Sequence, residues 1–318
     1  MRANQTLVSV IIPAHNASAW ISESIASACD QTWPDVEIIV IDDGSTDETV
    51  EVVSEIPDDR VRLIRQDNLG AASARNAGTR ESRGAFVQYL DADDILSRDK
   101  IELQLSALSN APEGSIASCA WTHFDGKAVS GSDAFEPVWN ESDPFEWLIR
   151  SYSGEGMMQP AGWLTPHSLI SAAGRWNEAL SLHDDGDFFL RVLLRARQNI
   201  FVAGPTVFYR TVDKSLSRKR TRPAIESAFE VCQSKDKHLL AARDEPRTRI
   251  AVASQYGQFA YEFSGSAPDL AVRAITRIDE LGVTPIVLSG GRPFRLLARS
   301  LGLRSALRVR SVLKSADA

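Results

Sequence analysis

The sequence predicts an α/β protein built on an open, mainly parallel sheet flanked by helices. Three observations carry that expectation. Short β-branched apolar runs recur through the first 90 residues, helical patterns separate them, and polar or acidic residues collect where the runs end. "LVSVIIP" (7–13) and "VEIIVID" (36–42) lack clean alternation, which suits strands buried on both faces of a parallel sheet. Between them, Ile21, Ile25 and Cys29 at four-residue spacing predict a helix. "DGSTDETVEVV" predicts a turn and a second helix, with Ser45 as N-cap and Glu48 completing a capping box. "VRLIR" (61–65) is a third strand, "AASARNAGTRES" a third helix and "AFVQYL" (85–90) a fourth strand. Such βαβ units cross over right-handedly and bind ligands beyond the carboxyl ends of their strands.

Residues 111–160 are less regular, although "SIASCAW" (115–121) fits a strand. Order returns at "GWLTPHSLISAAGRW" and at "LHDDGDFFLRVLLRA". The latter predicts a helix entered through carboxylates, with Phe188, Val192 and Ala196 on one face. From about 223 the chain reads as helical, punctuated by Pro246, Pro268, Pro285 and Pro293. The expected organisation is one unit over 1–222, with halves at 1–110 and 111–222, and a helical extension over 223–318.

The 318 residues carry a net charge of −7, which argues against nucleic acid as the main partner. Cys29, Cys119 and Cys232 are far apart, with no CxxC spacing, so neither a disulfide framework nor a zinc site is expected. That usage suits a reducing cytosol. The N-terminal apolar run is broken by Pro13 and is too short for a signal peptide. No segment approaches the roughly 18 apolar residues that span a bilayer.

The chemistry starts at "YLDADDILS" (89–97), where Asp91, Asp93 and Asp94 crowd the end of the fourth strand. Like charges this close need hydration, shared protons or a cation. In an extended chain Asp91 and Asp93 share a face and Asp94 points elsewhere. A D-x-D in that place suits Mg²⁺ or Mn²⁺ held against a diphosphate, and a solvated acidic turn is the alternative. The first strand ends in Pro13, Ala14, His15 and Asn16 instead of G-x-G-x-x-G, which rejects a dinucleotide site, and no Walker sequence is present.

"VSVIIPAHN", "IVIDDGSTDET", "NLGAASARNAG" and "YLDADD" follow one another in an order and spacing that resemble the family 2 glycosyltransferases, whose catalytic domain has the GT-A fold. "LHDDGDFFLRV" is similar to the family's acidic motif, and "FYRTVDKSLSRKR" resembles the segment that often follows it. The resemblance spans roughly residues 6–220. It implies a GT-A fold with a helical extension, and metal-assisted, inverting transfer of a sugar from a nucleotide-diphosphate donor, with a UDP-sugar favoured.

By the same resemblance Pro13, Ala14, His15 and Asn16 line the nucleotide pocket, Asp43 accepts from the base and Asp91 contacts the ribose. Asp93 coordinates the divalent cation, and Gly70, Arg75 and Asn76 close the pocket. Asp42 fits turn chemistry before Gly44, and Arg75 fits a structural ion pair as well as a ligand. Inversion requires a base, for which Asp184, Asp185 and Asp187 are candidates; counting back from Arg191, the resemblance aligns Asp185 with the family's catalytic carboxylate, and N-terminal helix acids are the alternative. His183 is a pocket neighbour. Arg210, Lys214 and Arg218 belong either to a loop closing over the diphosphate or to a solvated basic stretch. Trp163 is either an acceptor platform or a core residue.

Two other readings are open to test. A sugar nucleotidyltransferase normally has a Gly-rich basic signature where this chain has "PAHNAS". A noncatalytic nucleotide-sugar or glycan-binding module would have lost a metal or base carboxylate, and both are intact. The expected acceptor is a glycan or a lipid-linked precursor in polysaccharide or cell-envelope synthesis, with the protein cytoplasmic or peripheral at the inner membrane face. The tail has seven basic and no acidic residues from Arg292 to Lys314. Phe294, Leu297 and Leu301 form one stripe; Leu303 and Leu307, or Val309 and Leu313, form another. The tail is expected either to lie on an anionic membrane or to pack on protein, its own or that of a second copy.

Overall fold

The apolar runs of the first half do form strands, and the computed structural model places them side by side. It describes residues 6–126, 136–212, 220–283 and 290–316, with side chains to 310. The alternation is β1 (Val8–Ala14), α1 (Ile21–Cys29), β2 (Val36–Asp43), α2 (Thr49–Ser54), β3 (Val61–Gln66), α3 (Ala71–Glu81) and β4 (Phe86–Tyr89). There follow β5 (Ile95–Leu96), α4 (Lys100–Ser109), β6 (Ile116–Phe124), α5 (Pro144–Arg150), β7 (Thr165–Pro166), α6 (His167–Ala173), α7 (Asp184–Leu193) and β8 (Asn199–Arg210). The extension comprises α8 (Arg222–Ala242), α9 (Pro246–Phe263), α10 (Pro268–Leu281), α11 (Arg292–Leu301) and α12 (Leu303–Ala316).

The main sheet runs β3-β2-β1-β4-β7, parallel except for the β4–β7 pair. A smaller sheet orders β5-β8-β6. The chain leaves β1 toward β2 on one side and returns to β4 on the other, so the carboxyl ends of β1 and β4 flank the crevice where such sheets bind ligands. β2 is buried along its whole length, which explains its lack of alternation. Helix α3 lies against β1 so closely that a Cβ on Gly78 would sit 2.3 Å from Ile11 Cγ2; only glycine fits there.

Two local expectations are corrected. Helix α2 begins at Thr49, and neither Ser45 nor Glu48 caps it through a side chain. The Ser45 hydroxyl instead accepts the Asn16 N–H at 3.0 Å, and Asp47 accepts the Thr49 N–H at 3.1 Å. A tertiary partner from the β1 loop has taken the cap. Second, β4 stops at Tyr89, and the Asp94 N–H bonds the Asp91 carbonyl at 3.1 Å. Asp91–Asp94 is therefore a turn, and the two-residue face rule of an extended strand does not apply to it.

The extension shares the core of the second half. Buried Tyr89, Trp176, Phe188 and Phe189 belong to one apolar cluster with Phe229, Phe259, Phe263 and Leu307. Proline stands at the first or second position of α8, α9, α10 and α11, where a missing N–H leaves nothing unsatisfied; Pro285 lies outside the described residues. The tail stripes are largely spent on the protein itself. Phe294 packs on Tyr261 with ring centroids 4.8 Å apart, Leu303 joins the core and Leu307 is buried, whereas Leu301 is 56% exposed. The Leu313 side chain lies outside the described ones. Among the described residues no helix is long and apolar enough to cross a membrane.

Candidate active site

The carboxyl edge of the sheet gathers most of the singled-out residues. At the end of β1, Ala14 is buried and Pro13 half-buried, while His15 and Asn16 are exposed. Asn16 has φ 52°, a left-handed conformation that a non-glycine residue keeps only when its surroundings hold it. Here the Asn16 N–H reaches Ser45 and its side-chain oxygen accepts the Thr46 N–H at 2.8 Å. His15 Nδ1 meets the Asp43 carbonyl at 2.9 Å. The Asp43 carboxylate accepts from Gln66 Nε2 at 2.7 Å and from the Leu69 and Gly70 N–H groups at 2.9 and 2.8 Å. Asp43 thereby ties β2 to the loop before α3, in which Gly70 adopts φ 93°. Asp42 is buried and accepts the Ser45 N–H at 3.2 Å, as turn chemistry predicts.

Next along the edge is the acidic turn. Asp94 is fully buried and accepts the Arg210 N–H at 2.9 Å, leaving Oδ2 without a partner. Arg210 is itself buried at the end of β8. It donates to the Asp93 carbonyl at 2.8 Å and to Glu23 at 2.7 Å, and it lies over Trp20 and Phe124. Arg210 thus clamps the turn from below, while Lys214 and Arg218 lie outside the described residues. Burial, reinforced by the charge of Asp91, pushes the Asp93 pKa up to about 6. Burial, then Asp91 and Asp93, raises that of Asp94 well above the carboxylate range.

This turn fits a hard divalent cation. Its donors are carboxylate oxygens, no ion pair among the described residues reaches Asp93, and Asp94 Oδ2 is an orphan. Among the described residues no three His, Cys, Asp or Glu side chains are arranged to hold a metal. The protein would therefore supply one or two ligands and a diphosphate the rest, a pattern usual for Mg²⁺.

Across the crevice stands the start of α7. His183 precedes it with φ 60°, and Asp184, Asp185 and Asp187 fill its first turn. Arg75 joins the two sides. Its guanidinium bonds Asp91 at 2.8 Å and Asp184 at 2.8 Å and lies 4.6 Å over the Trp176 ring, with only 7% of the side chain exposed. The neighbouring Asn76 donates to the Trp176 carbonyl and to Glu178, and accepts the Trp176 N–H. Trp176 in turn stacks on Phe188 of α7 at 4.1 Å. Asp187 turns away and pairs with Arg191 at 2.7 Å and with Ser234 of α8. The Asp185 carboxylate bonds, among the described residues, only the Gly186 N–H at 2.9 Å. Burial raises its pKa, against the opposing pull of Arg75.

Trp163 is 1% exposed and stacked on Phe189, so it packs the core and offers no face to a sugar. The sequence reading missed Ser227 and Lys235, extension residues that reach the segment before α7 and its first turn, and Gln255, which holds Lys235. They lie on ordinary amphipathic helices, and no local pattern distinguishes them.

Residues 9–158 match a family model described as Glycosyl transferase family 2. The chain carries a family 2 glycosyltransferase domain. Over 194 residues the chain is 45% identical to chondroitin synthase of Escherichia coli, covering 58% of this chain and 26% of that one. Staphylococcus aureus TarS (residues 1–349, solved with UDP-GlcNAc) superposes with a TM-score of 0.70 at 18% identity, covering 98% of this chain and 92% of that one. The mannosyltransferase PcManGT of Pyrobaculum calidifontis, solved with GDP-Man and Mn²⁺, gives 0.57 at 18%, covering 98% and 88%. These likenesses identify the fold as GT-A, with helices following the catalytic sheet. The chain spans 42% of the length of a Haemophilus influenzae glycosyltransferase that it also matches, and less of chondroitin synthase. The α7 carboxylates lie beyond the residues matched by the family 2 model.

Proposed function

We propose that this protein transfers a sugar, with inversion, from a UDP-sugar to a hydroxyl of a glycan or lipid-linked acceptor. The observation that carries the reading is the Arg75 bridge. It sets the donor-edge carboxylates and the α7 carboxylates opposite one another across one crevice. His15, Asn16 and Asp43 hold the nucleotide base and Asp91 the ribose. A divalent cation held by Asp93 against the diphosphate would supply charge stabilisation for the leaving nucleotide. Asp185, with one oxygen unbonded, takes the acceptor proton from the face opposite the leaving group. Asp184 stays paired to Arg75, and Arg210 holds the turn in shape.

Several findings support the reading. UDP-GlcNAc in TarS favours a UDP donor, Mn²⁺ in PcManGT favours the metal, and chondroitin synthase favours a glycan product. The transferase unit is 1–222, with 223–318 packed on it, and the setting is cytoplasmic polysaccharide or cell-envelope synthesis. The outer stripe of α11, Arg292, Arg295, Leu296 and Arg299, is exposed, and no ion pair among the described residues engages its arginines. This stripe gives peripheral, electrostatic contact with an anionic membrane, each arginine contributing ~1 kcal/mol. Equal co-sedimentation with anionic and neutral vesicles refutes that contact.

The test of function is calorimetric titration with UDP-, GDP- and dTDP-sugars, with and without Mn²⁺. The expected result is metal-dependent binding of a UDP-sugar. Absence of binding to every nucleotide sugar overturns the reading.

A further inference from the structure

Helix α8 runs along α7, and its side chains reach the segment that carries Asp185. Ser227 Oγ accepts the Ser181 and Leu182 N–H groups at 2.9 and 3.0 Å and donates to the Leu182 carbonyl at 3.0 Å. Further along α8, Ser234 bonds Asp187. Beside that contact stands Lys235. A Cβ on Gly186 would lie 3.6 Å from Lys235 Cε and 3.8 Å from Nζ, so the amine sits beside the residue after Asp185.

The surroundings of that amine are neutral. It donates to Gln255 Oε1 of α9 at 2.6 Å and rests 4.3 Å over the Tyr152 ring. Gln255 donates back to the Tyr152 carbonyl at 3.0 Å, and the Tyr152 hydroxyl reaches the Gly186 carbonyl at 3.5 Å. Among the described residues no carboxylate forms an ion pair with Lys235. A half-buried ammonium held by an amide and a ring is costly unless a nearby negative charge offsets it. Burial pulls its pKa down, opposed by the Cys232 thiol and Asp185.

We propose that Lys235 is a positioning residue of the catalytic centre, reaching in from the C-terminal extension to hold Asp185 in its ionised form. The catalytic use of that charge rests on Asp185 being the base; the coupling itself does not. Asp185 is faced by Asp91 and Asp184, which disfavour its charge, and by the Tyr152 hydroxyl. Arg75 and Lys235 favour it. Arg75 is already shared between Asp91 and Asp184, whereas among the described residues Lys235 forms an ion pair with no other carboxylate. Burial alone would push Asp185 toward the neutral acid, which accepts no proton. Lys235 thus adds, from beyond the residues 9–158 matched by the family 2 model, a second charge to that of Arg75.

The test is a carboxylate titration by carbon-detected NMR on the full chain with ¹³C-labelled aspartate, assigning Asp185 by its loss in Asp185→Asn. In Lys235→Met the Asp185 midpoint is expected to rise by ~1 pH unit, and in Lys235→Arg to stay near wild type. Lys235→Gln, which retains a donor for Gln255, is expected to shift as far as methionine does. An unmoved midpoint in either folded neutral variant overturns the proposal, as does an equal shift in Lys235→Arg. Transfer by Asp185→Asn tests the base assignment separately, so failure of one is not mistaken for failure of the other.

Discussion

Asp91, Asp93 and Asp94 at one side of the crevice and Asp184, Asp185 and Asp187 at the other are written alike, three carboxylates in four positions. Their surroundings differ. In the first, Arg75 takes Asp91, Arg210 engages a carbonyl and Glu23 and its backbone takes Asp94, so among the described residues no side-chain cation bonds the Asp93 carboxylate. In the second, Arg75 takes Asp184, Arg191 takes Asp187, and Lys235 stands beside Gly186. A cluster whose counter-charges come from the protein can keep a carboxylate ionised for proton transfer. A carboxylate without one, as Asp93 is among the described residues, is where an external cation fits. Residue type is the same in both, and the charge packed around it differs.

The comparison breaks most directly at Asp185. Asp185→Asn is expected to retain metal-dependent UDP-sugar binding and to lose transfer by at least ~10²-fold. Near-normal transfer moves the base to Asp184 or Asp187, and lost donor binding makes the α7 start part of the donor site. Asp93→Asn is the converse. Nucleotide affinity should become indifferent to Mn²⁺ in isothermal titration while the melting temperature holds, and unchanged Mn²⁺ dependence would remove Asp93 from the metal site.

Acidity sharpens the contrast further. With its folded pKa near 6 and an unfolded value of ~3.9, Asp93 favours folding below the lower value, and that contribution is lost as pH rises through about 6. Below about pH 6 the proton also competes with the metal. Mn²⁺-supported UDP affinity should therefore fall toward a limit of ~10-fold per pH unit. A flat profile between pH 7 and 5 contradicts the assignment. The smallest expected effect is that of Ser227→Ala, which strands the buried Leu182 N–H and removes the acceptor of the Ser181 N–H. Denaturant unfolding should show a loss of ~1–3 kcal/mol, with UDP affinity unchanged. A weaker UDP complex would show that the two clusters are not independent.

Much of the donor half was legible because its signals are local. Period, turn residues and the order of short motifs place β1 to β4 and set Asp43, Asp91 and Asp93 along one edge. The helical character after 223 was equally readable, from prolines at helix starts and amphipathic spacing. Where long-range partners intervened, local reading failed. Ser45 bonded Asn16 instead of capping α2, and Asp91–Asp94 closed as a turn because β8 brought Arg210 beneath it.

The sequence by itself determined the family, the parallel sheet and the residue types that meet at its carboxyl edge, since each rests on neighbours a few positions apart. Only the tertiary structure decided which carboxylate meets which cation. Arg75 and Asp184 are 109 positions apart, and Lys235 approaches Gly186 from a helix beyond the matched domain. It also decided that Trp163, Phe294, Leu303 and Leu307 face the core while Leu301 and Val309 do not. The physical reason is that charge pairing and burial depend on distance through space, which sequence separation does not encode.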